Sequence, residues 1–342
     1  MIKFVEIVLM LLTAAAFTFL SLWGLIILLF FMGAQSAFFG PLKFSILPQH
    51  LTEGELVAGN GLVSAGTYIA ILSGTLCGGL FILHPAGRAY ISVGIVSVAI
   101  LGFLSSLLIP RAEPAVPGMK VDWNPLRSTI DIIAFVKPNK QVFRSILGIS
   151  WFWFLGAVFL SQFPTFSKDI LGGNEEVSTL FLVVFSVGVG IGSTLCNRLL
   201  RGKVSGRLVP YGCLGMTVAI FLLYCFSIAA AKTEILVGVK TFIHMPVSWG
   251  IIFSFLLLAA SGGIFSVPMY AIMQSKSSNE HRARVVACLN ITDSFGMVLS
   301  AIFVALLLTF KVSIINIFLI TGIVNLLITP LLSRLARDEY DK

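Results

Sequence analysis

Residues 40–80, GPLKFSILPQHLTEGELVAGNGLVSAGTYIAILSGTLCGGL, decide the fold, because the chain repeats their pattern about 227 positions later. In the first copy Pro41 is followed after 19 residues by Asn60, and in the second Pro268 is followed after 22 residues by Asn290. Both copies pass from an apolar helix and a polar turn into a new apolar helix that begins with Asn-x5-Gly. The sequence therefore predicts two related halves.

The composition predicts that these helices lie in lipid. Of the 342 residues, 57% are hydrophobic and 11% are charged, which is too apolar for one soluble core. Apolar windows of about 20 residues predict an all-α polytopic membrane protein with about ten transmembrane helices, four in the first half and six in the second, and no strand. The predicted spans are 4–20, 22–46, 57–83, 89–109, 143–165, 177–200, 208–230, 247–273, 285–309 and 312–333. Repeated halves of this kind are typical of transporters.

The repeat also predicts how the chain is divided. The N-terminal half is expected at 1–110, a cytoplasmic linker at 111–142 and the C-terminal half at 143–342, because the linker's prolines and basic residues exclude a span. Within the linker, PLRSTIDIIAFV predicts a short helix on the inner membrane surface. Three predicted helices precede the helix ending at Pro268 within its half, but only one precedes the helix ending at Pro41. We therefore expect that the first two helices of a six-plus-six arrangement are missing.

The net charge of +8 is explained by membrane topology rather than by nucleic-acid binding. If the first residue lies in the cytoplasm, 18 of the 23 Lys and Arg residues fall on the cytoplasmic side of the predicted helices. Since positive residues concentrate in cytoplasmic loops, both termini are predicted to be cytoplasmic.

No pattern typical of an enzyme or a metal site is found in the sequence. The five cysteines lack C-x-x-C spacing, and the four histidines are scattered in or beside loops. There is no G-x-S-x-G elbow, no H-E-x-x-H and no P-loop. The sequence therefore predicts no enzyme, no metal and no cofactor, and it favours a secondary carrier or facilitator over an ATP-driven pump.

Two charged residues within the apolar segments are candidates for a site. Asp293 lies about 12 Å into its predicted helix, where an unpartnered carboxylate costs roughly 2.5 to 3.5 kcal/mol. Asp293 either carries a charge that functions in transport or makes a hydrogen bond that supports the structure. Lys43 lies near the inner end of its helix, where it either extends to the head groups or holds an anionic phosphate at the mouth of a cavity.

Several uncharged polar residues within or near the apolar segments are further candidates for lining a path. They are Gln35, Asn60, Gln162, Tyr270 and Asn290. Each is a hydrogen-bond donor, but any one of them alone is weak support for a site. Trp151 and Trp153 are predicted to be interfacial anchors near a helix end.

The stretch GSTLCNRLLRGKVSGR, residues 192–207, places four basic residues on a tight inner turn. These cations either latch the inner ends of neighbouring helices or simply follow the positive-inside rule. They are Arg198, Arg201, Lys203 and Arg207. In the preceding helix, Gly188, Gly190 and Gly192 predict close packing against another helix.

Three stretches, GPLKFSILPQHL, WFWFLGAVFLSQFPTFSKDILGGNEEVSTL and PMYAIMQSKSSNEHRARVVACLN, together resemble the lysophospholipid transporter branch of the major facilitator superfamily. That branch also forms the first domain of fused acyltransferase and acyl-carrier-protein synthetase proteins, and residues 192–207 are similar to the superfamily's cytoplasmic loop motif. The resemblance implies a pseudo-symmetric twelve-helix bundle with a central cavity, of which this chain would begin at the third helix. It also implies a flippase that moves a lysophospholipid, such as lysophosphatidylethanolamine, inward across the bacterial inner membrane for reacylation.

The chain departs from this family at three positions. Ser64 and Asn197 stand where the family usually has an acid, whereas Asp293 stands where an amide is more typical, so we expect Asp293 to substitute for the lost carboxylate. Two other functions stay open: a facilitator or exporter of another small polar or drug-like solute, and a membrane anchor that works with a separate acyltransferase or acyl-ACP synthetase. The expected partners are the lipid bilayer and the transported small molecule.

Overall fold

The computed structural model describes residues 2–82, 84–110, 124–230, 236–278 and 281–337; the side chains of residues 37, 38, 41–45, 80, 82, 125, 126, 283 and 333–337 lie outside this description. Within these ranges the chain is helical, apart from turns and one isolated bridge between Gly173 and Val237. The helices are α1 (Ile2–Thr18), α2 (Leu22–Ser45), α3 (Leu47–His50), α4 (Leu56–Ile82), α5 (Gly87–Ser106), α6 (Pro125–Val136), α7 (Lys140–Thr165), α8 (Glu175–Leu200), α9 (Val209–Ala229), α10 (Val239–Ile243), α11 (Pro246–Ser275), α12 (Arg282–Thr309) and α13 (Ile314–Arg337).

The predicted all-α membrane fold is confirmed, because each of the ten predicted spans corresponds to one long helix. Eight of these helices are long and apolar enough to cross a membrane on length and composition, counted over the described residues. The other two are α1, with 17 residues, and α2, whose described apolar part is Leu22–Ser36. α1 is shorter than the usual span of about 20 residues, whereas α2 has 24 residues in all.

Local sequence explains where several helices begin and end. Asn139 caps α7 by accepting a hydrogen bond from the backbone N–H of Val142, and Asn124 caps the predicted linker helix, α6, in the same way. Pro164 lacks a backbone N–H, and α7 gives way to one turn of π-helix at Phe166–Ile170 just after it.

Contacts divide the chain into two compact units, Met1–Gln49 with Ser73–Met119, and His50–Leu72 with Lys120–Lys342. In the first unit, α1 packs against both α2 and α5. In the second unit, α11 is central and packs against α7, α8 and α9, while α12 packs on α7, and α13 packs on α9 and α7. The first part of α4 belongs to the second unit. The division into halves at 1–110, 111–142 and 143–342 stays a prediction.

Aromatic packing and close glycine contacts hold the second unit together. Phe163, Phe166, Phe181 and Phe255 are fully or almost fully buried, and their rings lie 4.8 to 6.1 Å apart in edge-on or tilted pairs.

Two of the three glycines predicted for close packing on α8 bring that helix against α11. A Cβ at Gly188 would lie 2.6 Å from Ala259, and one at Gly192 would overlap the carbonyl of Ala260. The prediction is wrong for Gly190, where the nearest such atom is 4.0 Å away on Ala65 of α4.

Candidate functional site

An amide pair joins α4 to α11 in the second unit. Asn60 Nδ2 donates to Gln274 Oε1 at 2.5 Å, and Gln274 Nε2 donates to Asn60 Oδ1 at 3.1 Å. Both side chains are buried, and Asn60 Nδ2 also donates to the carbonyl of Leu56 at 2.8 Å. The neighbouring Gly61 lets α4 approach α8, since a Cβ there would lie 3.1 Å from the carbonyl of Ser193. Because a lone buried amide is costly in apolar surroundings, the reciprocal pair fixes how α4 and α11 meet.

Aromatic side chains make a second contact to α11. Trp153 Nε1 on α7 donates to the hydroxyl of Tyr270 at 3.0 Å, and Tyr270 lies one turn before Gln274. The Trp153 ring is stacked with Tyr68 of α4, with centroids 6.4 Å apart and planes 11° apart. Tyr68 and Tyr270 are both buried. The three rings therefore connect α4, α7 and α11 through one apolar surface that carries two hydroxyl groups.

Asp293 connects α12 to Ser150, which lies one turn before Trp153 on α7. Its Oδ1 accepts a hydrogen bond from Ser150 Oγ on α7 at 2.5 Å, and its carboxylate also interacts electrostatically with Tyr270. Gly296, one turn later, allows the close approach, because a Cβ there would lie 3.3 Å from the Ser150 carbonyl. Asp293 is half-buried, and among the described residues it forms no ion pair. Within the described part of the chain it is thus hydrogen-bonded to a neighbour without a charge partner.

We call these residues the polar cluster: Asn60, Tyr68, Ser150, Trp153, Tyr270, Gln274 and Asp293. The cluster lies on four helices of an apolar bundle and offers amide donors and acceptors, aromatic faces and one carboxylate. Groups of this kind bind polar solutes and orient them. Sequence reasoning identified Asn60, Tyr270 and Asp293; it missed Gln274, Tyr68 and Ser150.

The other predicted polar residues take no part in the hydrogen bonds described above for the polar cluster. Gln162 is nearly buried on α7 and donates to Ser161 Oγ at 3.3 Å. Asn290 is half-buried on α12, and its Nδ2 is buried without a hydrogen-bond partner among the described residues. Gln35 lies on α2 in the first unit. Lys43 lies on α2, but its side chain is outside the described residues.

The four basic residues of the predicted loop motif are exposed at the end of α8. Arg198 is in the last turn of α8, and Arg201 ends the helix in the left-handed conformation with φ +51°. Gly202 follows with φ +72° and lies close to Gly54, just before α4, where a Cβ would be 3.0 Å from the Gly54 carbonyl. The turn thus packs against the start of α4, while the latching role of its cations stays a prediction.

A second polar network, missed by sequence reasoning, ties α7, α9 and α13 together. Asn325 is fully buried; its Oδ1 accepts from Trp151 Nε1 at 2.8 Å, and its Nδ2 donates to the Cys213 carbonyl at 2.8 Å and to Thr217 Oγ1 at 2.9 Å. The signal in the sequence was an Asn in the middle of an apolar helix. Trp151 and Trp153 both donate to partners inside the protein, so predicting them as interfacial anchors was wrong.

The chain is similar in sequence to curated lysophospholipid transporters. The chain is 27% identical over 276 residues to the lysophospholipid transporter LplT of Serratia proteamaculans, covering 78% of this chain and 63% of the relative. It is 27% identical over 294 residues to LplT of Pectobacterium carotovorum, covering 83% of this chain and 65% of the relative. The chain therefore spans less than two thirds of the length of these relatives.

Solved structures agree on the fold. The fucose:proton symporter FucP of Escherichia coli superposes with a TM-score of 0.63, covering 97% of this chain and 82% of the symporter, at 14% identity. A structure of FucP in the outward conformation superposes with a TM-score of 0.66, covering 97% and 81%, again at 14% identity. At this identity the likeness shows the fold alone. Residues 3–256 match the sequence profile of the Major Facilitator Superfamily, and the chain belongs to that superfamily.

Proposed function

We propose that this chain serves as a secondary transporter that moves lysophospholipids between the leaflets of a bacterial inner membrane. The observation that carries the proposal is the polar cluster, in which Asn60, Gln274, Tyr270 and Asp293 place hydrogen-bonding groups inside an apolar helix bundle. Buried polar side chains in a membrane are costly and commonly mark a substrate path. The similarity to LplT transporters supports a lysophospholipid as the substrate.

Within this proposal the cluster residues have separate roles. The amide pair of Asn60 and Gln274 opens to hydrogen-bond polar groups of the passing lipid, because amides both donate and accept. Tyr270 and Trp153 present an aromatic surface with a hydroxyl group to the boundary between head group and chain. Asp293 supplies the charge that the cluster otherwise lacks, and it pairs with a cation or takes up a proton as the cavity changes sides.

The exposed cations after α8 support an orientation with both termini in the cytoplasm, as the positive-inside rule requires. A lysophospholipid delivered to the inner leaflet has one free glycerol hydroxyl, so the reaction that consumes it is an acyl transfer to that hydroxyl. An acyltransferase or acyl-ACP synthetase is therefore the expected companion activity. The carrier itself is proposed to have no enzymatic role.

The test uses the 342-residue chain reconstituted in vesicles that carry a labelled lysophospholipid in one leaflet. Lipid in the outer leaflet is extracted with albumin, so the extractable fraction reports movement between leaflets. We expect faster movement than in protein-free vesicles and slower movement with Gln274→Leu. Rates equal to those of protein-free vesicles would contradict the proposal. Uptake of an unrelated polar solute together with an unmoved lysolipid would instead favour a small-solute facilitator.

A further inference from the structure

A buried arginine lies at the start of α12. Arg282 is the first residue of that helix, and its side chain is 8% exposed. Its Nε is buried without a hydrogen-bond partner among the described residues, and its Nη2 donates to the Ser277 carbonyl at 3.5 Å, the long end of the hydrogen-bonding range. Arginine is rarely buried unless its charge is paired, because burying a lone charge is costly. The Arg282 guanidinium is therefore able to bind an anion.

The N-terminus of α12 adds hydrogen-bond donors beside this guanidinium. The first N–H groups of a helix lack partners within it, and the helix dipole places a partial positive charge at that end. His281, which precedes the helix, forms no side-chain cap, and the first turn contains no acidic residue. The guanidinium lies on this side of the helix, because its contact, Ser277, belongs to the turn before α12. Helix N-termini of this kind bind phosphate and similar anions.

The surroundings of this helix end are basic. Asn139, the cap of α7, donates from Nδ2 to the Lys276 carbonyl at 3.2 Å, so the start of α7 lies beside the turn before α12. Among the described residues from Gln274 to Thr292, none is acidic. Exposed cations come from both helix starts and from the turn between α11 and α12, and together they attract anions to this end of the bundle. They are Lys137, Lys140, Lys276 and Arg284.

The linker helix, α6, brings exposed apolar side chains next to these cations. The Phe135 ring is stacked with the His281 imidazole, with centroids 4.6 Å apart and planes 7° apart, and the Arg284 guanidinium carbon lies 5.5 Å from the centre of the same ring. Ile130 and Phe135 are 66% and 41% exposed. Cations beside exposed apolar side chains are typical of a helix on a membrane surface, so these contacts favour a phospholipid head group as the source of the anion.

We propose that Arg282 and the N-terminus of α12 bind a phosphate group. The Arg282 side chain turns toward the helix end, where Nε donates to a phosphate oxygen and Nη2 exchanges its long contact with Ser277 for a charge-assisted one. Arg282 precedes Asp293 by 11 residues, or about 16 Å along α12, so this phosphate site is separate from the polar cluster. The proposal does not depend on the proposed transport.

The experiment measures the melting temperature of the full chain in detergent while short-chain phosphatidylglycerol is added, with short-chain phosphatidylcholine in parallel. Binding to the folded protein raises the melting temperature. We expect phosphatidylglycerol to stabilise the unmodified protein more, because phosphatidylcholine neutralises its own phosphate. Arg282→Gln should raise the half-maximal concentration of phosphatidylglycerol about tenfold, the effect of losing one charge-assisted contact. Arg282→Lys keeps the charge but not the two-pronged geometry, so its half-maximal concentration should lie in between.

The matched control is Arg127→Gln, which removes the same charge from an exposed ion pair with Asp131 on α6 and should change the half-maximal concentration less than twofold. Equal effects of Arg282→Gln and Arg127→Gln would show general attraction to a basic surface and overturn the proposal.

Inorganic phosphate, added against chloride at equal ionic strength, identifies the source of the phosphate. Stabilisation that depends on Arg282 with phosphatidylglycerol alone indicates a lipid head group, and with inorganic phosphate as well it indicates a site open to soluble phosphates. Without any additive, Arg282→Gln should melt at the same or a higher temperature, because it removes a buried charge that has no charge partner among the described residues. A variant that melts lower and still responds to both additives like the unmodified protein would show a purely structural role. That result, or no stabilisation by either additive, would overturn the proposal.

Discussion

Asp293→Asn separates a charge that works in transport from a hydrogen bond that holds α7 and α12 together. The amide keeps nearly the same shape, and its Oδ1 still accepts from Ser150, which lies 2.5 Å from the carboxylate. Only the charge is removed. Stability and transport should therefore respond in different directions.

The expected stability change follows from two opposing contributions. A carboxylate at this depth costs roughly 2.5 to 3.5 kcal/mol, and a hydrogen bond to a charged group returns about 1.5 to 3 kcal/mol. The charge on Asp293 thus has a net cost of about 0 to 2 kcal/mol, which the amide avoids. We expect Asp293→Asn to be as stable as the unmodified protein or more stable by up to about 2 kcal/mol, a melting temperature higher by a few degrees.

Ser150→Ala is the matched control, since it keeps the charge and removes its hydrogen bond. It should destabilise the protein by about 1.5 to 3 kcal/mol. Both variants are melted in the same detergent, and lysolipid movement is measured in vesicles across pH. If the charge works in transport, Asp293→Asn melts normally but loses transport or its pH dependence. An Asp293→Asn protein that transports normally at every pH would refute the functional role, and one destabilised by more than about 2 kcal/mol would refute the energy argument.

Three further predictions concern the helix contacts of the second unit. Asn325→Leu should lower the free energy of unfolding by about 2 to 4 kcal/mol, because the buried groups that hydrogen-bond to this side chain would lose their partner. Thermal unfolding measures the change, and an unchanged melting temperature would contradict the prediction. Gly192→Ala should lower the free energy of unfolding by about 1 to 3 kcal/mol, because the added Cβ overlaps a carbonyl on α11. Gly190→Ala on the same helix has room for a methyl group and should be neutral or stabilising. Equal effects of the two variants would show that the close contact is unimportant. In a double-mutant cycle, Asn60→Leu and Gln274→Leu should each destabilise, and their combination should cost less than the sum, while simple additivity would argue against the amide pair.

The sequence was sufficient to predict where the long helices lie. Long apolar windows fixed all ten major helices within a few residues, because a membrane segment must satisfy its backbone internally and must be long enough to span the lipid. The short linker helix, α6, was predicted from the spacing of its apolar residues and begins and ends as expected, at Pro125 and Val136. These features depend on local composition, which one sequence contains in full.

Partner choice was not available from the sequence. Trp151 and Trp153 are predicted from the sequence to be interfacial anchors, but they lie near the middle of α7 and their indole groups donate to Asn325 and Tyr270. Apolar helices carry little amphipathic pattern, so the sequence does not say which face of a helix meets which neighbour. The partner of each polar side chain is therefore set by packing.

What the sequence by itself determined was the class of protein, the number and bounds of its long helices, and the cost of placing Asp293 in lipid. Only the tertiary structure decided that Asp293 meets Ser150 and that Asn60 meets Gln274 across 214 positions of sequence. The physical reason is that lipid imposes a strong and local demand on each segment, whereas hydrogen bonds between helices depend on rotations and close approaches that small residues permit at a distance in sequence.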